Sequence, residues 1–151
     1  MIYTINYSII IIVNEREVIL MGLDMFLTVR KKSNPVWDWE DEESAYWRKA
    51  NQIRKWFVEN LKYEQDPRSD SLENVRVPKE KLEELLDTVT TVLNNPYLAD
   101  ELLPTEAGFF FGSCNYDSWY FNQLESTKYQ LEEILSTTNF ETEDVYYDES
   151  W

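Results

Sequence analysis

Leu23-Asp24-Met25-Phe26-Leu27-Thr28-Val29-Arg30 is the stretch from which the fold is read. Leu23, Met25, Leu27 and Val29 alternate with Asp24, Phe26 and Thr28. That period of two gives a strand with one buried face. Lys31–Glu43 follows as a loop carrying Pro35, Trp37, Trp39 and five acids. Beyond it the period changes. Ser44 reads as an N-cap, and the helix it opens runs to about Leu61. Tyr46, Ala50, Ile53, Phe57 and Leu61 fall on one face at steps of three and four, with Arg48, Lys49, Gln52 and Lys55 mostly away from it.

The later chain alternates between the two periods. Tyr63–Leu72 is polar, contains Pro67 and reads as a loop. Asn74–Val77 is a short strand candidate, and Pro78 suits a first helical turn. Leu82, Leu85, Leu86, Val89 and Leu93 make an apolar stripe that Asn94-Asn95-Pro96 stops. Tyr97–Thr105 is a connector. Phe109-Phe110-Phe111, between Gly108 and Gly112, reads as a buried strand bounded by glycines. Asp117 caps a last long helix over about Ser118 to Leu135, with the stripe Tyr120, Leu124, Thr127, Leu131 and Ile134. A strand is expected at Val145–Tyr147. Three helices and about four short strands in mixed order make one α+β domain, without the strict βαβ series or phosphate loop of a doubly wound fold.

Composition supports a packed core. Of 151 residues, 43% are hydrophobic and 15% aromatic, against 5 Pro and 3 Gly, which is not the profile of a disordered chain. No run approaches the roughly 18–20 apolar residues that span a bilayer. Cys114 is the only cysteine, so no internal disulfide forms, which fits a reducing compartment such as the cytoplasm. The chain has no histidine. That excludes Ser-His-Asp and Cys-His catalysis and removes the commonest zinc ligand. No metal or cofactor is expected.

Residues 1–20 differ from the rest. Ile9–Val13 is too short, and lacks the preceding positive charge, for a signal peptide. Glu15-Arg16-Glu17-Val18 can be encoded by a purine-rich ribosome-binding sequence ahead of Met21. Residues 1–20 are therefore expected to be translated leader, with an edge strand at Tyr7–Val13 as the alternative. The domain proper is expected over 21–139, with an acidic aromatic tail over 140–151.

Charge is distributed unevenly. Met1–Lys81 holds 13 Lys/Arg and 14 Asp/Glu, whereas Leu82–Trp151 holds one, Lys128, against 15 acids. Such a field repels phosphate backbones and attracts basic clefts, so direct binding to nucleic acid is not expected. The acids spaced along the two later helices, Glu83, Glu84, Asp87, Glu132 and Glu133, are candidate contacts. So is the Trp37-Asp38-Trp39-Glu40-Asp41-Glu42-Glu43 run, where rings interleaved with carboxylates suit an Arg-rich partner. The plain alternatives are a solubilising surface and a loop folded over the core. Trp47 and Trp56 are expected in the core. A second candidate site is the turn after Phe111, where Ser113, Asn115, Tyr116 and Asp117 stand near a helix N-terminus that can bind anions. Glycine, Asn and Asp are also ordinary turn residues. Cys114 has no histidine to activate it. Asp24, Glu106 and Asp117 offer carboxylates for acid–base work or Mg²⁺, in a chain where carboxylates are abundant.

Three segments carry a resemblance: Met21-Gly22-Leu23-Asp24-Met25, Tyr46-Trp47-Arg48-Lys49-Ala50-Asn51, and Leu103-Pro104-Thr105 through Gly108-Phe109-Phe110-Phe111-Gly112. Over most of Met21 to Leu135 the chain resembles small phage and prophage proteins of unassigned function. The resemblance implies a mobile-element origin, a bacterial cytoplasm and Met21 as the start, and it brings no active site. With the charge split, the expectation is a non-enzymatic inhibitor or accessory protein. It would occupy a basic groove of a host nucleic-acid-binding protein, such as a CRISPR effector or restriction enzyme, by nucleic-acid mimicry. The alternatives are a small-ligand or nucleotide-binding protein using the Gly112–Asp117 turn and an oligomeric structural protein.

Overall fold

The computed structural model describes residues 22–36, 41, 43–61 and 71–151, and the backbone of 2–5 and 8–11. Trp37, Asp38, Trp39, Glu40 and Glu42 lie outside the described residues, as do residues 12–21 and 62–70. Ile2–Ile5 (β1) and Ser8–Ile11 (β2) pair antiparallel as a two-stranded sheet of their own.

The α+β fold is built on a four-stranded antiparallel sheet. Its strands are Asp24–Lys31 (β3), Glu43–Arg48 (β4), Val75–Val77 (β5) and Glu143–Ser150 (β6), in the order β4-β3-β6-β5. β3 and β6 pair along their full lengths, from Asp24 opposite Ser150 to Lys31 opposite Glu143. The C-terminal segment is thus an interior strand, longer than the Val145–Tyr147 core expected of it. Val145, Tyr147 and Glu149 turn inward, while Asp144, Tyr146 and Asp148 alternate outward.

Helices cover the inward face. They are Asn51–Leu61 (α1), Lys79–Asn94 (α2), the single turn Ala99–Leu102 (α3) and Ser118–Thr137 (α4). On α1, Phe57 stacks on Tyr147 of β6 at 4.2 Å between ring centroids and meets Trp47 of β4 edge-on at 6.0 Å. Removing such a ring from water stabilises by about 1.5–3 kcal/mol. On α2, Leu82, Leu85, Val89 and Val92 are buried, and Leu86 and Leu93 are half-buried. On α4 the buried set is the expected stripe, Tyr120, Leu124, Thr127, Leu131 and Ile134. Asp117 caps that helix by accepting from the Tyr120 amide at 3.1 Å. Trp47 and Trp56 are buried.

Two expectations are corrected. The helix does not begin at Ser44. Glu43–Arg48 is strand β4, and Lys49, in the left-handed region at φ 55°, turns the chain into α1 at Asn51. Ala45 and Trp47 face the core and Tyr46 faces out, so the period of two won over Tyr46–Ala50 spacing. The Lys49 amide donates to the Leu23 carbonyl at 2.7 Å and fixes the corner. α4 covers the free edge of β4. Gln130 accepts from the Tyr46 amide at 2.8 Å, and Gln123 donates to the Arg48 carbonyl at 3.2 Å, which blunts an edge that could otherwise pair with another chain.

Nor is Phe109–Phe111 a buried strand. It is a turn in which Phe109 is 80% exposed, Phe110 takes φ 68° and only Phe111 is buried. The flanking glycines make the turn instead of bounding a strand. A Cβ on Gly108 would stand 2.3 Å from the Phe111 ring, and Gly112 sits at φ +88°.

Candidate functional site

The solvent side of the helix layer carries five of the seven candidate contacts among the described residues. On α2, Glu80, Glu83, Glu84 and Asp87 are exposed on one face at steps of three and four. On α4, Glu125, Glu132 and Glu133 are exposed around Tyr129, which is 67% exposed. α2 and α4 pack against each other, and Asp100 and Glu101 of α3 extend the acidic surface, with Tyr97 exposed beside them in sequence. The lysines of α2 and α4 are each paired already. Lys79 meets Glu83 at 3.5 Å, Lys81 meets Glu84 at 2.7 Å and Lys128 meets Glu132 at 3.7 Å. Exposed pairs of this kind are weak and leave the surface strongly negative. Of the sequence candidates, Glu83, Glu84, Asp87, Glu132 and Glu133 are therefore carried by one layer of helices. Glu80, Glu125, Asp100 and Glu101 belong with them. Their one-face spacing on the helices was readable, but the charge count treated them singly.

Asp41 and Glu43, the described members of the Trp37–Glu43 run, sit elsewhere. With Phe26, Thr28, Glu73, Asn74, Asp148, Glu149 and Ser150 they line a cavity of about 570 Å³ on the sheet face opposite the helices. Beside it Arg30 is almost wholly buried. It donates to the Asn74 side chain, pairs with Asp148 at 3.4 Å and with Asp41 at 3.7 Å, and lies over the Tyr146 ring at 4.5 Å. Sequence spacing gave no signal for this apposition, because strand pairing makes it across more than a hundred residues.

A second buried arginine anchors the C-terminal strand to α1. Arg54 donates to both carboxylate oxygens of Glu149, at 3.1 and 3.0 Å, and to Glu106 at 2.9 Å. Its guanidinium lies over the rings of Phe111 and Trp151, at 4.8 and 5.6 Å. Glu149 also accepts from the Leu72 amide at 3.0 Å and from the Tyr147 hydroxyl at 2.9 Å. Burial works against the Arg54 charge, but Glu149 and then Glu106 outweigh it and hold its pKa above the ordinary value. Burial, reinforced by Glu149, pushes the Tyr147 phenol well up, and burial does the same to Tyr120.

The three carboxylates considered for acid–base or Mg²⁺ chemistry are engaged separately. Asp24 accepts twice from Arg48, at 2.8 Å each, and from the Tyr46 hydroxyl at 2.6 Å. Glu106 is held by Arg54, and Asp117 caps α4. Among the described residues, no group of three or more Asp, Glu, Cys or His is placed to hold a metal ion.

Ser113, Asn115, Tyr116 and Asp117 form an exposed loop whose polar groups bind the chain itself. The Ser113 hydroxyl accepts from the Asn115 amide at 3.0 Å, and its carbonyl accepts from Asn51 at 2.9 Å. The Tyr116 hydroxyl accepts from the Thr105 amide at 3.3 Å. Cys114 is exposed. No helix among the described residues is long and apolar enough to cross a membrane. Compared with protein-family models, curated proteins and solved structures, the chain matches none.

Proposed function

We propose that this protein is an acidic docking module whose helix layer occupies a basic groove of a nucleic-acid-binding protein. One observation carries the reading. Carboxylates line an exposed face of α2 at steps of three and four, Glu125, Glu132 and Glu133 are exposed on α4, and each lysine of these two helices is already paired. Residues three and four apart on a helix rise by about 4.5–6 Å, so the α2 face presents a line of negative charge, which the α4 acids widen. A groove built for phosphates accepts such a line, and exposed Tyr97 and Tyr129 add ring faces for arginine. The resemblance to small phage and prophage proteins supports a host nuclease or CRISPR effector as the groove's owner, and inhibition by mimicry as the outcome.

The test is direct binding to purified restriction enzymes and CRISPR effectors at low and high salt, with the wild type and the variant E83K/E84K/D87K/E133K. Binding to at least one of them is expected to weaken steeply with salt and to drop at least tenfold in the variant. Equal binding by a correctly folded variant would refute the reading.

A further inference from the structure

The cleft between strand β4 and helix α4 is a site in its own right: we propose that it binds a neutral pyranose sugar. It holds about 260 Å³, with Tyr46 and Arg48 on the strand side and Trp119, Asn122, Gln123 and Ser126 on the helix side. Asn122, Gln123 and Ser126 follow Trp119 by three, four and seven residues, so the four share one helix face. That volume is below the about 300–1,000 Å³ of pockets for drug-sized ligands, so the cleft takes a ligand of one ring. Its walls are already fixed. Gln123 donates to the Arg48 carbonyl at 3.2 Å and accepts from Gln52 at 3.0 Å. Buried Trp47 donates its indole N–H to the Thr127 hydroxyl at 2.8 Å. A preformed site loses little ordering entropy on binding.

Two observations choose the chemistry. The first is charge. Arg48 is the one charged residue lining the cleft, and Asp24 accepts from it twice, at 2.8 Å each. In a chain of net charge −15 the cleft is therefore close to neutral, unlike the carboxylate-lined cavity on the sheet face. The second is the state of its polar and aromatic groups. Trp119 is 57% exposed, and among the described residues it meets no other ring and no cation, and its indole N–H has no acceptor. Asn122 is exposed with its amide unbonded among the described residues. The Ser126 hydroxyl accepts from Gln130 at 3.4 Å and keeps its proton to donate. A bare π face is thus flanked by uncharged donors and acceptors.

A pyranose matches both features. The C–H groups on one side of its ring carry partial positive charge and rest on the negative face of the indole, while its hydroxyls each donate and accept. Asn122 and Ser126, one and two turns along the helix from Trp119, meet those hydroxyls. An aromatic base stacks best between two rings, and the cleft offers one. Tyr46, the other exposed ring, is held 5.4 Å from Phe26 with its hydroxyl on Asp24 at 2.6 Å. A charged ligand finds no free opposite charge among the lining residues.

NMR titration of the full chain tests this, following the Trp119 indole N–H signal, which Trp119→Phe identifies by its loss. The probes are the methyl glycosides of glucose, galactose and mannose, and N-acetylglucosamine, with sorbitol and adenosine as controls. At least one of the four pyranoses is expected to bind saturably and shift that signal. Sorbitol, which has the hydroxyls without the ring face, should bind at least tenfold more weakly, and adenosine more weakly than the best sugar. Trp119→Ala should weaken sugar binding at least tenfold and Asn122→Ala severalfold, neither lowering the melting temperature, since both side chains are exposed. The helix-face variant E83K/E84K/D87K/E133K should bind the sugar unchanged, which separates this cleft from the docking surface. Absence of binding by all four pyranoses would overturn the assignment. So would equal binding of sorbitol, tighter binding of adenosine, indifference to Trp119→Ala, or loss of binding in the helix-face variant.

Discussion

Arg54 shows most clearly what a single side chain does in this fold. Its partner Glu149 is fully buried as a side chain, and its own side chain is 8% exposed, so neither charge has water to fall back on. Removing one member strands the other. Arg54→Met is expected to cost about 3–5 kcal/mol in urea unfolding, and R54M/E149Q less than R54M alone, because glutamine leaves no buried charge and keeps an acceptor for Leu72. A double variant at least as unstable as R54M would show that the pair's charge is not what matters. Tyr147, whose hydroxyl serves Glu149, links the same cluster to pH. Its folded pKa lies above its ordinary value of 10.0, so the neutral phenol's contribution is complete below about pH 10. It is lost as pH rises further, since the unfolded chain ionises first. Tyr120 acts in the same direction. Melting temperature should therefore fall steeply above about pH 10, and Tyr147→Phe should flatten that fall while costing about 1 kcal/mol at neutral pH through the lost hydrogen bond. Phenolate absorbance at 295 nm that rises fully before unfolding would contradict this.

At the scale of elements, caps and turns decide where the periodic segments stop. Asp117→Ala should cost about 1 kcal/mol by freeing the Tyr120 amide. Gly108→Ala should cost more, because its Cβ must displace the Phe111 ring that lies over Arg54. Chemical denaturation of both variants checks that order, and a smaller loss for Gly108→Ala would contradict it. The same elements explain what the sequence disclosed. α2 and α4 were legible because each buries one stripe, and β3 by the alternation of Leu23, Met25 and Leu27, although Thr28 and Arg30 are buried on its other face and Val29 only half-buried. β4 was not, since Tyr46 and Ala50 fit a helical face as well as Ala45 and Trp47 fit a strand, and the left-handed turn at Lys49 has no glycine to announce it. β6 was legible only at its centre, because Asp144, Asp148 and Glu149 are poor strand formers until Arg30 and Arg54 partner two of them. The three phenylalanines looked like a strand by composition, yet the glycines beside them turn the chain. For the sites, the helix acids followed from spacing, whereas the meeting of Glu43, Glu73 and Asp148 depends on strand order, which local patterns do not encode.

Across the whole molecule the sheet separates two acidic surfaces of different shape. The helix side carries exposed carboxylates on α2, α3 and α4, and the other side holds a cavity of about 570 Å³ lined by Asp41, Glu43, Glu73 and Asp148. Of the 15 acids after Lys81, eight stand on α2, α3 and α4 and four on β6, of which Asp148 and Glu149 line the cavity. A protein that mimics nucleic acid must compete with it. The direct measurement is displacement of labelled duplex DNA from a basic-groove nuclease that binds this protein, followed by fluorescence anisotropy across a salt series. Displacement by the wild type that weakens as salt rises, and its loss in E83K/E84K/D87K/E133K, is the expected result. A nuclease that holds this protein and its DNA together, or equal displacement by the charge-reversed variant, would contradict the account.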